Sequence, residues 1–307
     1  MNVLSVENLT ISYRSGGLWR EVVHRVSFTI KRGEMLAFVG ESGSGKTTTA
    51  QAIIGLLAEN ARLDAGTVRL NGEEISRWSG KRLDNLRGAR SSLVPQDPGN
   101  SLNPVQTIGA QVGEILRLHQ KSSKTERRQQ VIALLEKVGL SHPEQRFDQY
   151  PHQLSGGMKQ RVLIAIAIAL KPDLIIADEP TTALDVTMQA QILRLLKSLQ
   201  QQTQTAILLI THDLGVVAQV CSRVVVMYGG LIMEDGTVEE IFYHPKHPYT
   251  MGLIDSIPRV TGGEKQRLKP IPGTPPNLIH PPKGCPFSTR CPYCMNAWMA
   301  EMPPYFQ

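Results

Sequence analysis

Gly40-Glu41-Ser42-Gly43-Ser44-Gly45-Lys46-Thr47, with Thr48 behind it, decides the fold. The unbroken apolar run Met35-Leu36-Ala37-Phe38-Val39 precedes it and reads as a strand buried on both faces. Residues 47–57 follow it and read as a helix. Strand, glycine loop and helix in that order form the context in which such a loop binds phosphate. Gly43 and Gly45 let backbone N–H groups close on phosphate oxygens, and the helix N-terminus favours the anion. Lys46 then reaches the β- and γ-phosphates, and the Thr47 hydroxyl coordinates Mg²⁺. A chance glycine turn would not need a buried strand on one side and a helix on the other.

Outward from the loop, residues 1–35 alternate apolar and polar and predict antiparallel strands broken at Gly16-Gly17. On the other side, apolar strands are expected at 174–177, 206–210 and 224–227, with a helix over 187–200. Alternation of strand and helix implies an α/β fold, a parallel sheet with helices on both faces. Residues 97–170 have another texture. Helical periodicities over 108–118, 124–138 and 157–170 predict a helical insertion, opened by the loop signal Asp97-Pro98-Gly99-Asn100. The expected domains are a nucleotide-binding domain over 1–242 and an extension over 243–307. The extension holds a short helix to about residue 257 and then a tail rich in proline: Pro270, Pro272, Pro275, Pro276, Pro281 and Pro282.

Composition narrows the function classes. The 307 residues are 41% hydrophobic and 20% charged, enough for a sizeable core. The longest apolar run, 162–170, is far short of the ~18 residues that span a bilayer. Met1-Asn2-Val3-Leu4-Ser5-Val6 lacks the basic and apolar blocks of a signal peptide, so a cytosolic chain is expected, touching a membrane through partners. The net charge of +6 is scattered. Its one small cluster, Lys121, Lys124, Arg127 and Arg128, reads as a solvated helix face, and no nucleic-acid partner is expected. Of four cysteines, Cys221 reads as packing, and disulfides are not expected in a reducing cytosol.

Further motifs stand at a distance from the loop. Leu174-Ile175-Ile176-Ala177-Asp178-Glu179 ends a buried strand in two carboxylates. In that position Asp178 can hold Mg²⁺ through water and Glu179 can polarise the attacking water. A structural acidic pair is the alternative. Leu154-Ser155-Gly156-Gly157-Met158-Lys159-Gln160 opens a helix and offers a second N-terminus to phosphate. With Pro180-Thr181-Thr182-Ala183-Leu184-Asp185, these segments in this order resemble the ATP-binding cassette of ABC transporters. The resemblance covers about residues 1–240. It implies a P-loop cassette with an N-terminal antiparallel β subdomain. It also implies head-to-tail dimers in which Ser155, Gly156 and Gly157 complete the partner's ATP site. Gln96, after Ser92-Leu93-Val94-Pro95, takes the place of the family's Q-loop, contacting Mg²⁺ and water. His212, in Leu209-Ile210-Thr211-His212-Asp213, matches the switch histidine that bonds the γ-phosphate. Tyr13 would stack on adenine as the family's A-loop aromatic does, where the plainer reading is a half-buried strand tyrosine.

A narrower resemblance covers the extension. His244-Pro245-Lys246-His247-Pro248-Tyr249-Thr250, Ile271-Pro272-Gly273-Thr274-Pro275-Pro276, Gly284-Cys285-Pro286-Phe287 and Arg290-Cys291-Pro292 look like the oligopeptide, dipeptide and nickel importer ATPases. That resemblance implies a second, related ATPase subunit, two transmembrane permeases and an extracytoplasmic solute-binding protein. The ATPase would lie on the cytoplasmic face of a bacterial inner membrane. Several such ATPases carry an iron–sulfur cluster on the C-terminal cysteines. Here Cys285 and Cys291 match, Trp298 stands about where the next cysteine belongs, Cys294 comes four residues earlier, and the chain given stops at Gln307. A [4Fe–4S] cluster ordinarily takes four thiolates. The expectation is therefore unmetallated thiols on Cys285, Cys291 and Cys294, with a cluster or zinc as alternatives. The function expected is ATP hydrolysis driving uptake of peptides or a related small solute. A cassette of DNA repair or translation, or a regulatory module without turnover, is the rival.

Overall fold

The computed structural model describes residues 1–182, 184–257, 270–279 and 281–306. Ala183 of the 180–185 segment, Gln307 and part of the proline-rich extension (258–269 and 280) lie outside the described residues. The chain divides into two compact units. The first comprises Met1–Leu4, Ile30–Met35 and Arg77–Ile210, the second Ser5–Thr29, Leu36–Ser76 and Thr211–Gln307.

In the first unit three strands run parallel: Ser91–Val94, Leu174–Asp178 and Ala206–Ile210. Ser91 pairs with Leu174, and Leu174 with Ala206. Every residue of the latter two strands is buried, which is why both read as unbroken apolar runs. The register puts Asp178 opposite Ile210, at the carboxyl end. Helices Ile108–His119, Lys124–Lys137 and Gly156–Ile168 supply the helical region. They bury Val112, Leu116, Val131, Leu135, Val162 and Ile164. Thr107 caps the first, and Ser123 with Glu126 forms a capping box on the second. A Cβ on Gly109 would lie 2.5 Å from the Phe147 ring, so glycine lets the short helix Pro143–Phe147 pack closely. Helix Val186–Thr203 starts on Asp185, whose carboxylate accepts the Met188 N–H.

The second unit holds most of the strands Asn2–Ser15 and Leu18–Lys31, joined at Gly16-Gly17 with φ of 58° and 80°. Two positive φ values fit the tight turn of an antiparallel hairpin. The sheet order is Leu18–Lys31, Asn2–Ser15, Ala61–Leu70, Glu73–Glu74. Elsewhere in this unit, Leu36 to Val39 pair in parallel with Arg223 to Val226. The strand Arg223–Tyr228 then turns back at Gly229-Gly230 into the antiparallel strand Leu231–Thr237. Ala37, Val39, Val224, Val226 and Tyr228 share one apolar core with Tyr249, Cys285 and Phe287 of the extension. Cys221 is half-buried against that core. The C-terminal tail thus contributes Cys285 and Phe287 to the packing behind the glycine loop. Removing a buried phenylalanine ring costs about 3–5 kcal/mol in comparable cores. Among the described residues, no helix is long and apolar enough to cross a membrane.

Candidate functional site

The glycine loop belongs to the second unit. Helix Lys46–Ile53 begins from Gly45 at φ 100°, and no side chain caps it. A helix N-terminus of this kind is where an anion is favoured. Gly43 has φ 78°, and a Cβ added there would meet nothing within 4 Å, so the loop opens onto space. A Cβ on Gly40 would lie 2.1 Å from the Met227 carbonyl oxygen. Only glycine admits that close backbone crossing. The buried Lys46 Nζ donates to Gly40 O at 2.8 Å, Glu41 O at 2.8 Å and Ser44 Oγ at 3.2 Å. Ser44 O in turn accepts the Gly230 N–H at 3.2 Å. Ser42 and Thr47 are exposed and Thr48 is half-buried.

Glu41 is held at three points. Its amide donates to Tyr249 Oη at 2.9 Å, its carbonyl accepts Lys46, and its carboxylate takes both arms of Arg290, at 2.6 and 3.1 Å. The Arg290 side chain is only 3% exposed. It also donates to Tyr228 Oη, Pro272 O and Ile271 O, so all five guanidinium N–H groups are used. The bonds to Glu41 raise the Arg290 pKa, securing its charge. Burial pushes the Tyr249 and Tyr228 phenols up as well, keeping both neutral.

His212 and Tyr13 lie in this unit too. His212 is exposed and follows Thr211, whose N–H donates to Phe38 O at 3.1 Å in the strand that feeds the loop. Asp213 fixes the turn: its N–H donates to Thr211 Oγ1, and its carboxylate caps helix Leu214–Val220. Tyr13 is half-buried on Asn2–Ser15.

Gln96, Asp178 and Glu179 are in the first unit. Asp178 is buried at the end of its strand. Glu179 has φ 44°, a left-handed conformation that a glutamate rarely takes. Its N–H is tied to Ile210 O at 2.9 Å, and its Oε2 accepts from Gln96 Nε2 at 3.0 Å and Thr182 Oγ1 at 2.8 Å. Strained backbone of this kind persists where surrounding bonds hold it. The arrangement aims a carboxylate away from the end of a buried strand and keeps one amide and one hydroxyl on it. Ser155 Oγ caps helix Gly156–Ile168, accepting the Met158 N–H at 3.3 Å. Ser155 and Gly156 are exposed, while Gly157 is buried where a Cβ would lie 2.2 Å from Met188 Cε.

Cys285 is buried, and Cys291 and Cys294 are half-buried; all three are free thiols. Burial pushes the Cys285 and Cys291 thiols up, away from the thiolate a metal needs. The half-buried Trp298 carbonyl accepts the Cys285 N–H at 2.9 Å. Among the described residues, no three His, Cys, Asp or Glu side chains converge as a metal-holding group. The three thiols are one short of the four thiolates a [4Fe–4S] cluster ordinarily takes.

Three residues at these sites carry no role in the sequence reading. Thr182 was visible only as part of a motif string, and Arg290 and Tyr249 only as members of the C-terminal pattern. Nothing in their spacing from Glu41, 249 and 208 positions away, points to it.

Comparison with known proteins adds to this geometry. Residues 23–182 match the ABC transporter family, and residues 233–297 match the oligopeptide/dipeptide transporter C-terminal region. The chain is 51% identical over 293 residues to the dipeptide transport ATP-binding protein DppD of Bacillus subtilis, covering 94% of this chain and 87% of that one. It is 47% identical to the oligopeptide transport ATP-binding protein OppD of Salmonella typhimurium, covering 96% and 87%. Among solved structures it is similar to the dimeric post-hydrolysis state of the ATP-binding cassette MJ0796 bound to ADP and Pi. There the TM-score is 0.69, at 29% identity, over 76% of this chain and 98% of that one.

Proposed function

The chain belongs to the ABC transporter family, in the branch marked by the oligopeptide/dipeptide C-terminal region, and from that premise we propose that it is the ATP-hydrolysing subunit of a bacterial importer of dipeptides or oligopeptides. One observation carries the reading. Cassette and peptide-transporter C-terminal region occur in one chain, and dipeptide and oligopeptide transport ATP-binding proteins match 94–99% of it at 45–51% identity.

In this reading Gly40 to Thr48 cradle the triphosphate, with Lys46 on the β- and γ-phosphates and Tyr13 against adenine. Thr47, Asp178 and Gln96 would hold Mg²⁺, which would supply positive charge to the phosphates. Glu179 orients and activates water, and His212 bonds the γ-phosphate. Ser155, Gly156 and Gly157 serve the ATP of a second cassette, so that two nucleotides join two subunits and hydrolysis releases them. Residues 1–242 form the nucleotide-binding domain and 243–307 the extension. The partners are a related second ATPase, two permeases and an extracytoplasmic binding protein, with this subunit peripheral on the cytoplasmic face of the membrane. Burial, which pushes the Cys285 and Cys291 thiols toward their protonated form, supports unmetallated thiols in the extension rather than a cluster.

Uptake tests it. In cells deprived of this chain, the wild-type protein should restore ATP-dependent import of a radiolabelled dipeptide or oligopeptide, and Lys46→Ala should not. Import independent of the chain, or co-purification with ribosomes or DNA in place of hydrophobic permeases, would replace this reading with the repair or translation one.

A further inference from the structure

The nucleotide loop is anchored by the far end of the chain. Arg290 reaches Glu41 across 249 residues of sequence with a two-armed ion pair, and spends its other N–H groups on Tyr228 Oη and the carbonyls of Ile271 and Pro272. Its ring neighbours, Tyr228 and Phe287, lie 5.7 and 5.9 Å from the guanidinium carbon. Such a planar fork is pre-organised, and lysine cannot reproduce it. Tyr249, also in the extension, fixes the Glu41 amide from the other side. What the extension grips is the residue whose carbonyl holds the Lys46 ammonium at 2.8 Å.

We propose that Arg290 is a positioning residue for ATP: by fixing Glu41 it sets the peptide from which Lys46 is aimed at the phosphates. The ion pair also neutralises a carboxylate that stands in the loop meant to receive a polyanion. The extension is thereby a working part of the nucleotide site. The inference rests on reading Gly40 to Thr47 as the ATP loop, so its test needs a control for that reading.

The measurement is the affinity of the full 307-residue chain for trinitrophenyl-ATP, with the melting temperature of the nucleotide-free protein beside it. Arg290→Gln leaves the Glu41 carboxylate uncompensated, and breaking a pair by removing one partner costs more than replacing both. Affinity should fall by about tenfold, tempered by the partial exposure of Glu41. The double variant Glu41→Gln/Arg290→Gln removes both charges and should return to within about threefold of wild type, a rescue that a merely structural arginine would not give. Tyr249→Phe, nearly isosteric, should weaken binding by about threefold or more, because it leaves the Glu41 N–H unpaired. Its melting temperature should stay close to wild type. Wild-type affinity in Arg290→Gln, or a double variant weaker than either single one, would overturn the proposal. If Arg290→Gln does not fold, unchanged affinity in Tyr249→Phe does the same. Should Lys46→Ala bind as tightly as wild type, the ATP-loop reading itself fails and this inference goes with it.

Discussion

Glu179→Gln removes one charge and almost nothing else. Glu179 Oε2 accepts two hydrogen bonds, from Gln96 Nε2 at 3.0 Å and Thr182 Oγ1 at 2.8 Å. A glutamine at 179 keeps a carbonyl oxygen that can accept both. The backbone at φ 44° is equally strained for either side chain, so its cost cancels. What disappears is a basic carboxylate able to orient a water and draw its proton. Loss of a positioned acid–base group costs ~10²–10⁴ in rate. The lower bound corresponds to about 2.7 kcal/mol of activation free energy. Steady-state phosphate release at saturating MgATP, measured on the assembled transporter, should fall at least ~100-fold. Nucleotide affinity should persist, because Lys46 and the glycine loop are untouched, and an ATP-bound dimer should accumulate on size-exclusion chromatography. Turnover within tenfold of wild type would refute the assignment of Glu179, and with it the use of Gln96 and Thr182 as its supports.

Lys46→Ala should abolish tight ATP binding in calorimetry, because it removes a buried ammonium from the phosphates. Ser155→Arg should leave monomeric ATP binding intact yet suppress dimer-dependent hydrolysis, with a lost cap on Gly156–Ile168 worth only about 1 kcal/mol; loss of monomeric binding would contradict the two-subunit site. His247 caps helix Pro248–Asp255, its Nδ1 accepting the Tyr249 N–H at 3.1 Å, and burial holds its pKa below the ordinary value. The unfolded chain therefore takes up the proton first, so this stability is present above pH ~6.5 and drains away as the pH falls below it. Acidification should lower the melting temperature of wild type more than that of His247→Asn, since asparagine caps in either condition. Metal analysis of anaerobically purified protein should find no stoichiometric iron, and about four irons per chain, as in a [4Fe–4S] cluster, would overturn the unmetallated reading of Cys285, Cys291 and Cys294.

The elements legible in the sequence are those whose burial is uniform or whose ends are marked chemically. Met35–Val39, Leu174–Asp178 and Ala206–Ile210 are buried at every position, so their apolar runs carry the signal unaided. Helices Ile108–His119 and Lys124–Lys137 were legible from periodicity and are closed by the Thr107 and Ser123 caps. Ala61–Leu70 was not anticipated. Of its ten residues only Val68 and Leu70 are buried, and the apolar positions change phase after Gly66, from Ala61, Leu63 and Ala65 to Val68 and Leu70. The return strand Leu231–Thr237 was hidden in the same way, by Glu234, Asp235 and Gly236. Both are strands that neighbouring strands recruit, so their identity is a tertiary fact and not a local one.

The site divides along the same line. In the proposed site, the residues assigned to phosphate or water sit in short contiguous strings, because a loop at a strand end can present several of them at once. Gly40 to Thr47 and Asp178 to Glu179 are of that kind. Arg290 is the opposite case. In sequence it stands between Cys285 and Cys291, and a pattern reader's attention goes to the thiols. In the fold it is the thiols that are quiet, pushed toward their protonated form by burial. The arginine carries the chemistry, completing an ion pair with the second residue of the nucleotide loop. A charged residue in a segment that holds Cys285, Phe287 and Cys291 had to find a partner or remain exposed, since an unpaired buried charge is too costly to keep. That demand was readable from the sequence. The identity of the partner was not, because long-range closure is decided by which carboxylate the core of Tyr228, Tyr249 and Phe287 brings within reach.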